Sequence, residues 1–442
     1  MADVLVVGGG LAGCEAAWQL AERGHTVTLR EMRPVRSTPA HQTANLAELV
    51  CTNSFKSEDL ANAHGLLKAE MRDLGSILLQ AADEARVPAG QALAVDRDIF
   101  AHAMTRRIEE HPGINVVREE TVRLPDEPAV IATGPLTSAS LTSDIATLLG
   151  DAGLAFYDSI APVVSIDSID TDIAFFASRW GRGGADDYLN CPLTREQYET
   201  FIRELRAADV YPGHDWENVP YFEGCLPIEV MAERGEDTLR FGPMKPVGLR
   251  DPRTGKRPWA VVQLRREDRA GQMWNMVGFQ TRLRTGEQRR VFRMIPGLER
   301  AEFLRTGSIH RNTYLNFPAT LNAHGAPHAR PDIIFAGQLT GVEGYTESAA
   351  SGILAGINMD RILNGLEPLL PPPSTMLGGL MHYLRTADPA RFQPMNSNFG
   401  LLAPLAEHVR DKTARRERLV ERARRDFAHW LETAVRPEQV AP

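Results

Sequence analysis

Near the start of the chain, Gly8-Gly9-Gly10-Leu11-Ala12-Gly13 has the residue types and the spacing to hold a pyrophosphate. Gly8 permits a tight turn, Gly10 lets the backbone approach the phosphates, and Gly13 lets a helix pack closely on a strand. The first helical turn then offers free N–H groups and the positive end of its dipole to the anion. An apolar run, Val4 to Val7, leads into this segment, and a helical pattern from Cys14 to Arg23 follows it, with Ala16, Ala17, Leu20 and Ala21 placed to pack. Gly24 ends the helix, and Thr26 to Arg30 forms a second strand that finishes at Glu31. The Glu31 carboxylate can accept hydrogen bonds from both ribose hydroxyls and disfavours a 2′-phosphate, so FAD or NAD is preferred to NADP. Strand, glycine turn, helix, strand and acid in one register are far more specific than the glycine pattern alone.

The elements further along decide between the two dinucleotides. Val130-Ile131-Ala132-Thr133-Gly134 is similar to the strand end of two-dinucleotide flavoproteins. A second buried run, Ile333 to Gln338, passes Gly337 and Gln338 into Thr340-Gly341-Val342-Glu343-Gly344-Tyr345. Thr346 to Asn358 then reads as a helix rich in small residues. In FAD folds of the glutathione-reductase type, such a helix aims its positive end at the flavin, where it stabilises the anionic reduced ring. Those proteins usually carry Asp where this chain has Gln338. No second G-x-G-x-x-G occurs, so any NAD(P)H is a transient reductant. The expected fold is α/β: a two-dinucleotide-type, glutathione-reductase-like Rossmann FAD domain from residues 1–160 and 330–442, with an inserted α+β domain at 161–329 on the substrate side.

A length of 442 residues suggests more than one core, and 43% hydrophobic and 24% charged residues are ordinary for a globular protein. No apolar stretch is long enough to span a bilayer, and Asp3 stands where a signal peptide would be basic, so a cytoplasmic location is expected and no membrane partner. The four cysteines, Cys14, Cys51, Cys191 and Cys225, form no C-x-x-C pair, so no metal site is expected. Cys14 in the first helix reads as packing, and Cys191 has no supporting context. The net charge of −8 argues mildly against a polyanion partner. Two local runs argue the other way: Arg265 to Arg293 and Arg410 to Arg425 each hold eight basic residues against three acids.

Several interior segments resemble one family. Leu49-Val50-Cys51-Thr52-Asn53-Ser54-Phe55-Lys56-Ser57, Phe222-Glu223-Gly224-Cys225-Leu226-Pro227-Ile228-Glu229, Arg240 to Leu249 (RFGPMKPVGL), Asn275 to Thr281, Gly337 to Asn358 and Asn396 to Leu402 are similar to the folate- and FAD-dependent tRNA (uracil-5-)-methyltransferases. The resemblance covers nearly the whole chain. Wobble-uridine-modifying flavoproteins share the FAD halves but are typically longer, and the contexts of Cys51 and Cys225 favour the methyltransferase.

The resemblance implies C5-methylation of the T-loop uridine, position 54, of tRNA. Methylenetetrahydrofolate is the carbon donor, reduced FAD the hydride source and NAD(P)H the reductant. It implies Cys225 as the nucleophile at uracil C6, which makes C5 nucleophilic, and a second role at the same site for Cys51, such as removing the C5 proton or protecting a flavin adduct. Tyr345, just ahead of the flavin-facing helix, could stack on or protonate the base, or simply pack. Trp274 is a candidate wall for the pterin and a better candidate for the core. The target base must leave its stack to react. The arginine runs are the natural seat for the T-arm. A wobble-uridine enzyme, a small-molecule FAD oxidoreductase and an FAD-binding regulatory protein are the competing readings.

Overall fold

The computed structural model describes residues 2–38, 40–150, 153–211, 226–407 and 409–435. Its central element is a five-stranded parallel sheet. Asp3–Val7 pairs with Thr26–Glu31 on one side and Ala129–Ile131 on the other; Ile114–Arg118 and Ile333–Phe335 close the two edges. The sheet is buried on both faces, which is why Val4–Val7 and Ala129–Ile131 read as unbroken apolar runs rather than alternating ones. The strand order reverses between Asp3–Val7 and Ala129–Ile131. Their carboxyl ends therefore open a crevice, the usual ligand position in an open α/β sheet.

Two helices cover one face of this crevice. Leu11–Ala21 starts three residues earlier than the sequence pattern suggests, because Gly10 already caps it. Tyr345–Leu363 lies across it with almost no space between backbones: a Cβ on Gly352 would stand 2.2 Å from the Ala12 carbonyl oxygen, and one on Gly356 2.8 Å from that of Ala16. The stripe of small residues read from the sequence is thus a helix–helix contact surface.

Buried carboxylates tie further helices to this frame. Glu15 accepts from the Ser76 hydroxyl and from the N–H groups of Ile77 (3.3 Å) and Leu78 (3.0 Å), at the start of helix Ile77–Glu84. Glu70 accepts from Met376 and Leu377, both at 2.8 Å, at the start of helix Met376–Thr386. That helix is rich in Met and Gly and carries little helical signal in the sequence, because Gly378 and Gly379 weaken it. The glycines are there for contact: a Cβ on Gly378 would meet the Pro372 carbonyl at 1.9 Å.

A six-stranded antiparallel sheet carries a second hydrophobic cluster, drawn from residues between Val164 and Phe303. Ala260–Arg266 and Met273–Met276 lie at its centre. Against it packs helix Arg195–Ala207, whose start is set by a capping box between Thr194 and Gln197. Tyr198, Phe201, Ile202 and Leu205 turn inward at helical spacing; burial of each contributes roughly 2 kcal/mol. The two strands Gly153–Ile160 and Ser308–Leu315, which run between the two clusters, pair antiparallel along their full length. No described helix is long and apolar enough to cross a membrane.

Candidate active site

The dinucleotide end is built by the first strand, turn and helix. Gly8 adopts φ +102°, and a Cβ there would collide with the Ala132 carbonyl at 2.6 Å. A Cβ on Gly13 would fall 1.8 Å from the Gly8 oxygen, so close packing of helix on strand requires both glycines. Around Gly10 the opposite holds: nothing lies within 4 Å of where its Cβ would stand. The helix that follows has no side-chain cap and no acid in its first turn, so Leu11, Ala12 and Gly13 present uncapped N–H groups. A pyrophosphate fits this cradle in both shape and charge.

Glu31 ends the second strand inside a pocket that also exposes Gly8, Gly10, Thr133 and Thr137. One of its oxygens accepts from the Gly9 N–H (2.8 Å) and the other from the Arg33 N–H (3.0 Å) and Nε (2.8 Å). Burial raises its pKa, but the bonds and charge of Arg33 outweigh this and hold it below the ordinary glutamate range. It is therefore an anion, and carboxylate oxygens can each accept more than one bond. Thr133 and Thr137 share a hydroxyl contact of 2.6 Å, and Gly134 takes φ +68° beside them.

The returning strand comes to the same crevice. Gly337 takes φ +77° with its Cα against Ala12, and its N–H donates to Ser351 (2.8 Å). Gln338 donates its amide to Glu343 at 2.9 Å, a bond within its own loop. Gly341, at φ +87°, leaves room for the Phe392 ring.

At the start of helix Tyr345–Leu363 the structure joins two of the residues singled out for chemistry. The Tyr345 hydroxyl accepts from the N–H of Cys51 (2.7 Å) and of Thr52 (3.1 Å). Burial, followed by the neighbouring Cys51, pushes the phenol well above its ordinary pKa, so it keeps its proton. With its acceptor sites taken by two N–H groups, the hydroxyl proton remains available to donate. The other side of the Cys51 peptide is held by Arg97, which donates to the carbonyls of Leu49 and Cys51 and forms an ion pair with Glu267 (2.9 Å). Arg265 donates to Thr52 (2.7 Å) and Asn53 (2.8 Å), and Arg305 reaches Glu267 at 3.4 Å. All three guanidinium groups lie within electrostatic reach of Cys51, and the single charge of Glu267 offsets part of theirs. An excess of positive charge favours a thiolate. In the same first turn, buried Glu347 accepts from His64 (3.1 Å) and the Ser397 N–H (3.0 Å). Burial opposes its ionisation, but these bonds and the charges of Lys56 and His64 hold it well below the usual range.

Cys225 lies outside the described residues. Cys14 and Cys191 are fully buried, and burial pushes both thiols far above their ordinary pKa, which makes them inert packing groups. Trp274 is also buried, its indole N–H donating to the Gly271 carbonyl at 2.9 Å, so it belongs to the core of the second sheet. Among the described residues no group of three His, Cys, Asp or Glu could hold a metal ion.

The first arginine run is less open than its composition suggests. Arg266 pairs with Asp186, Arg282 with Glu229, and Arg290 with Glu204 and Glu287; Arg293 donates to the Ala301 carbonyl. Together with Arg265, these side chains are engaged by partners within the protein. In the second run, along helix Lys412–Trp430, Arg418, Arg424 and Arg425 are paired, whereas Lys412 and Arg415 stand exposed with no ion pair among the described residues.

Comparison with known proteins gives a consistent result. The sequence profile of the glucose inhibited division protein A family matches residues 3–367. The chain is 58% identical over 431 residues to a protein of Geobacter sulfurreducens named methylenetetrahydrofolate--tRNA-(uracil-5-)-methyltransferase TrmFO, covering 97% of this chain and 99% of that one. A protein of the same name from Lacticaseibacillus paracasei is 51% identical over 440 residues, with both chains covered in full. Among solved structures, GidA of Aquifex aeolicus superposes with a TM-score of 0.68 at 17% identity, over 97% of this chain and 73% of that one. At that identity the likeness speaks for the fold alone.

Proposed function

This chain belongs to the glucose inhibited division protein A family, among the relatives named methylenetetrahydrofolate--tRNA-(uracil-5-)-methyltransferase, and we propose that it carries out that reaction with FAD on the T-loop uridine, position 54. The observation that carries the reading is the contact of Tyr345 with Cys51 at 2.7 Å, at the mouth of a helix packed on the dinucleotide cradle. Residues 1–160 and 330–442 are read as one glutathione-reductase-like FAD domain, and 161–329 as an insertion.

FAD suits the cradle of Gly8, Gly10 and Gly13, with Glu31 beside its ribose, and when bound and reduced it supplies hydride. The remaining work falls to the chain. The Cys225 thiolate adds to uracil C6, and the displaced electron pair makes C5 the nucleophile. C5 bonds to the one-carbon unit of methylenetetrahydrofolate and loses its proton to Cys51, which the surrounding arginines hold as a base. Tetrahydrofolate leaves with the electron pair of its carbon–nitrogen bond, hydride adds to the exocyclic methylene so formed, and the C6–sulfur bond breaks to restore the ring double bond. NAD(P)H restores the reductant. Tyr345 fixes the Cys51 backbone and retains one proton to donate to the base. Water must be kept out while the base is unstacked, and the bonds of Arg97 to Glu267 and of Arg265 to Asn53 close the seam beside Cys51.

The test is direct. Purified protein is incubated with unmodified tRNA, methylenetetrahydrofolate and NADPH, and 5-methyluridine is assayed at position 54. Cys225→Ala abolishes product and keeps the yellow flavin; normal methylation by this variant removes the nucleophile assignment.

A further inference from the structure

Trp180 is a large aromatic side chain left 59% exposed, in a backbone conformation that tryptophan rarely adopts (φ 54°, ψ 22°). Its loop reads Ser178-Arg179-Trp180-Gly181-Arg182-Gly183-Gly184. The loop is held rigidly. The Trp180 N–H donates to the Gly248 carbonyl (2.9 Å), Arg179 donates to the Val247 carbonyl (2.8 Å), and Asp187 accepts from Gly184 and Gly90, both at 2.7 Å. A non-glycine residue in the left-handed region persists only where its surroundings impose it, and such residues concentrate at functional positions.

The indole has one seated face and one open face. A Cβ on Gly248 would lie 2.8 Å from two atoms of the ring and 3.2 Å from a third, so the five-membered ring lies over the Gly248 backbone. Gly248, at φ +86°, comes from the RFGPMKPVGL segment, for which the chemistry above gives no use. Arg182 and Lys245, on the two loops that meet here, are exposed and have no ion-pair partner among the described residues. The platform also stands on the seam that carries Cys51: Asn53 donates to the Arg266 carbonyl (2.8 Å), and Arg266 pairs with Asp186 in the Trp180 loop (2.8 Å).

We propose that Trp180, backed by Gly248 and flanked by Arg182 and Lys245, is a stacking platform for an unpaired base of the tRNA, a second hold on the RNA besides the base that reacts. The inference rests on the tRNA reading above. Every base has a π-face, so a rigid open indole takes one without reading its identity, and the two cations meet the neighbouring phosphates. The two unpaired cations give the surround of the ring a local positive charge, on a chain of net charge −8, that suits the phosphates on either side of a stacked base.

The experiment measures binding of unmodified tRNA at fixed ionic strength, flavin absorbance, thermal stability and oligomeric mass. Trp180→Ala weakens binding about tenfold or more, and Trp180→Phe stays near wild type. Trp180→Gly separates the contact from the fold, because glycine suits the left-handed backbone: its stability holds or rises while its tRNA affinity falls as in Trp180→Ala. Flavin content and mass stay constant throughout. If the wild type methylates tRNA while Trp180→Ala and Trp180→Gly bind as tightly as it does, the contact alone is overturned. It is overturned likewise if these variants change oligomeric mass and leave tRNA affinity intact. A wild type that neither binds nor methylates tRNA overturns the functional reading and this contact with it.

Discussion

The Tyr345 hydroxyl accepts the backbone N–H of Cys51 at 2.7 Å across 294 positions of sequence, and so fixes the thiol-bearing peptide to the helix that faces the dinucleotide crevice. Tyr345→Phe removes this anchor and strands two N–H groups. Each buried, unsatisfied donor costs about 1–3 kcal/mol. Chemical denaturation of the variant shows lower stability, flavin content is retained, and product formation falls by roughly 10–100-fold because the thiol is no longer held in place. Unchanged stability and rate would mean that the contact anchors nothing.

Gly10 and Gly13 separate ligand binding from folding. Gly10→Ala adds a methyl group where nothing lies within 4 Å, so thermal unfolding stays close to wild type. The methyl then occupies the approach of the pyrophosphate, and FAD affinity, read by flavin absorbance after dialysis, falls tenfold or more. Gly13→Ala sets a Cβ 1.8 Å from the Gly8 oxygen and destabilises the fold itself, by about 3 kcal/mol or more. Equal behaviour of the two variants in both measurements contradicts the division of roles.

Two buried acids give stability a slope between acid and neutral pH. Burial raises the pKa of Glu15 to about 7 and of Glu70 to about 8. The folded state therefore holds protons that the unfolded chain releases near its ordinary value of 4.5. This contribution is complete below pH 4.5 and is lost as pH rises through the folded values. Glu347 and Glu267, shifted downward, act only on the acid side of that window. Glu70→Gln keeps an amide oxygen for one of the two N–H groups that separate Glu70 oxygens accept, from Met376 and Leu377, and removes the titration. It reduces the loss of stability between pH 5.5 and 8.5 by roughly 3 kcal/mol. An unaltered slope shows that Glu70 does not hold its proton.

Much of the crevice was legible in the sequence because its constraints are local. Gly13 meets the Gly8 oxygen within the same strand–helix turn, Gly10 leaves the space beside it open, and those demands leave a pattern of fixed spacing. The surroundings of Cys51 were not legible. Arg97 and Glu267 are 170 positions apart, and Arg265 and Asn53 are 212 apart, so no window of sequence contains both partners. The same limit explains the arginine runs. Composition counts Arg290 as a surface cation, whereas Glu204, on the facing helix, neutralises it. Helix Met376–Thr386 was hidden for another reason: its glycines serve contact at the expense of propensity.

The neutralised and the open arginines differ in their effect on RNA binding. A phosphate contact releases counterions, so tRNA affinity falls steeply with salt. Arg415→Ala, on the exposed face of helix Lys412–Trp430, lowers the slope of that dependence by about one. Arg290→Ala leaves the slope unchanged and affects stability only slightly. Titration of binding against KCl distinguishes them, and a flat response for the wild type removes both runs from the RNA surface.

The backbone-to-backbone seating of Gly352 on Ala12 and of Gly356 on Ala16 has a mechanical consequence. Helices spaced by side chains can slide as rotamers change; helices spaced by peptide groups cannot. The turn at Gly10 and the mouth at Tyr345 are therefore the two jaws of a caliper with a locked gap. A ligand gripped by both must match that fixed gap.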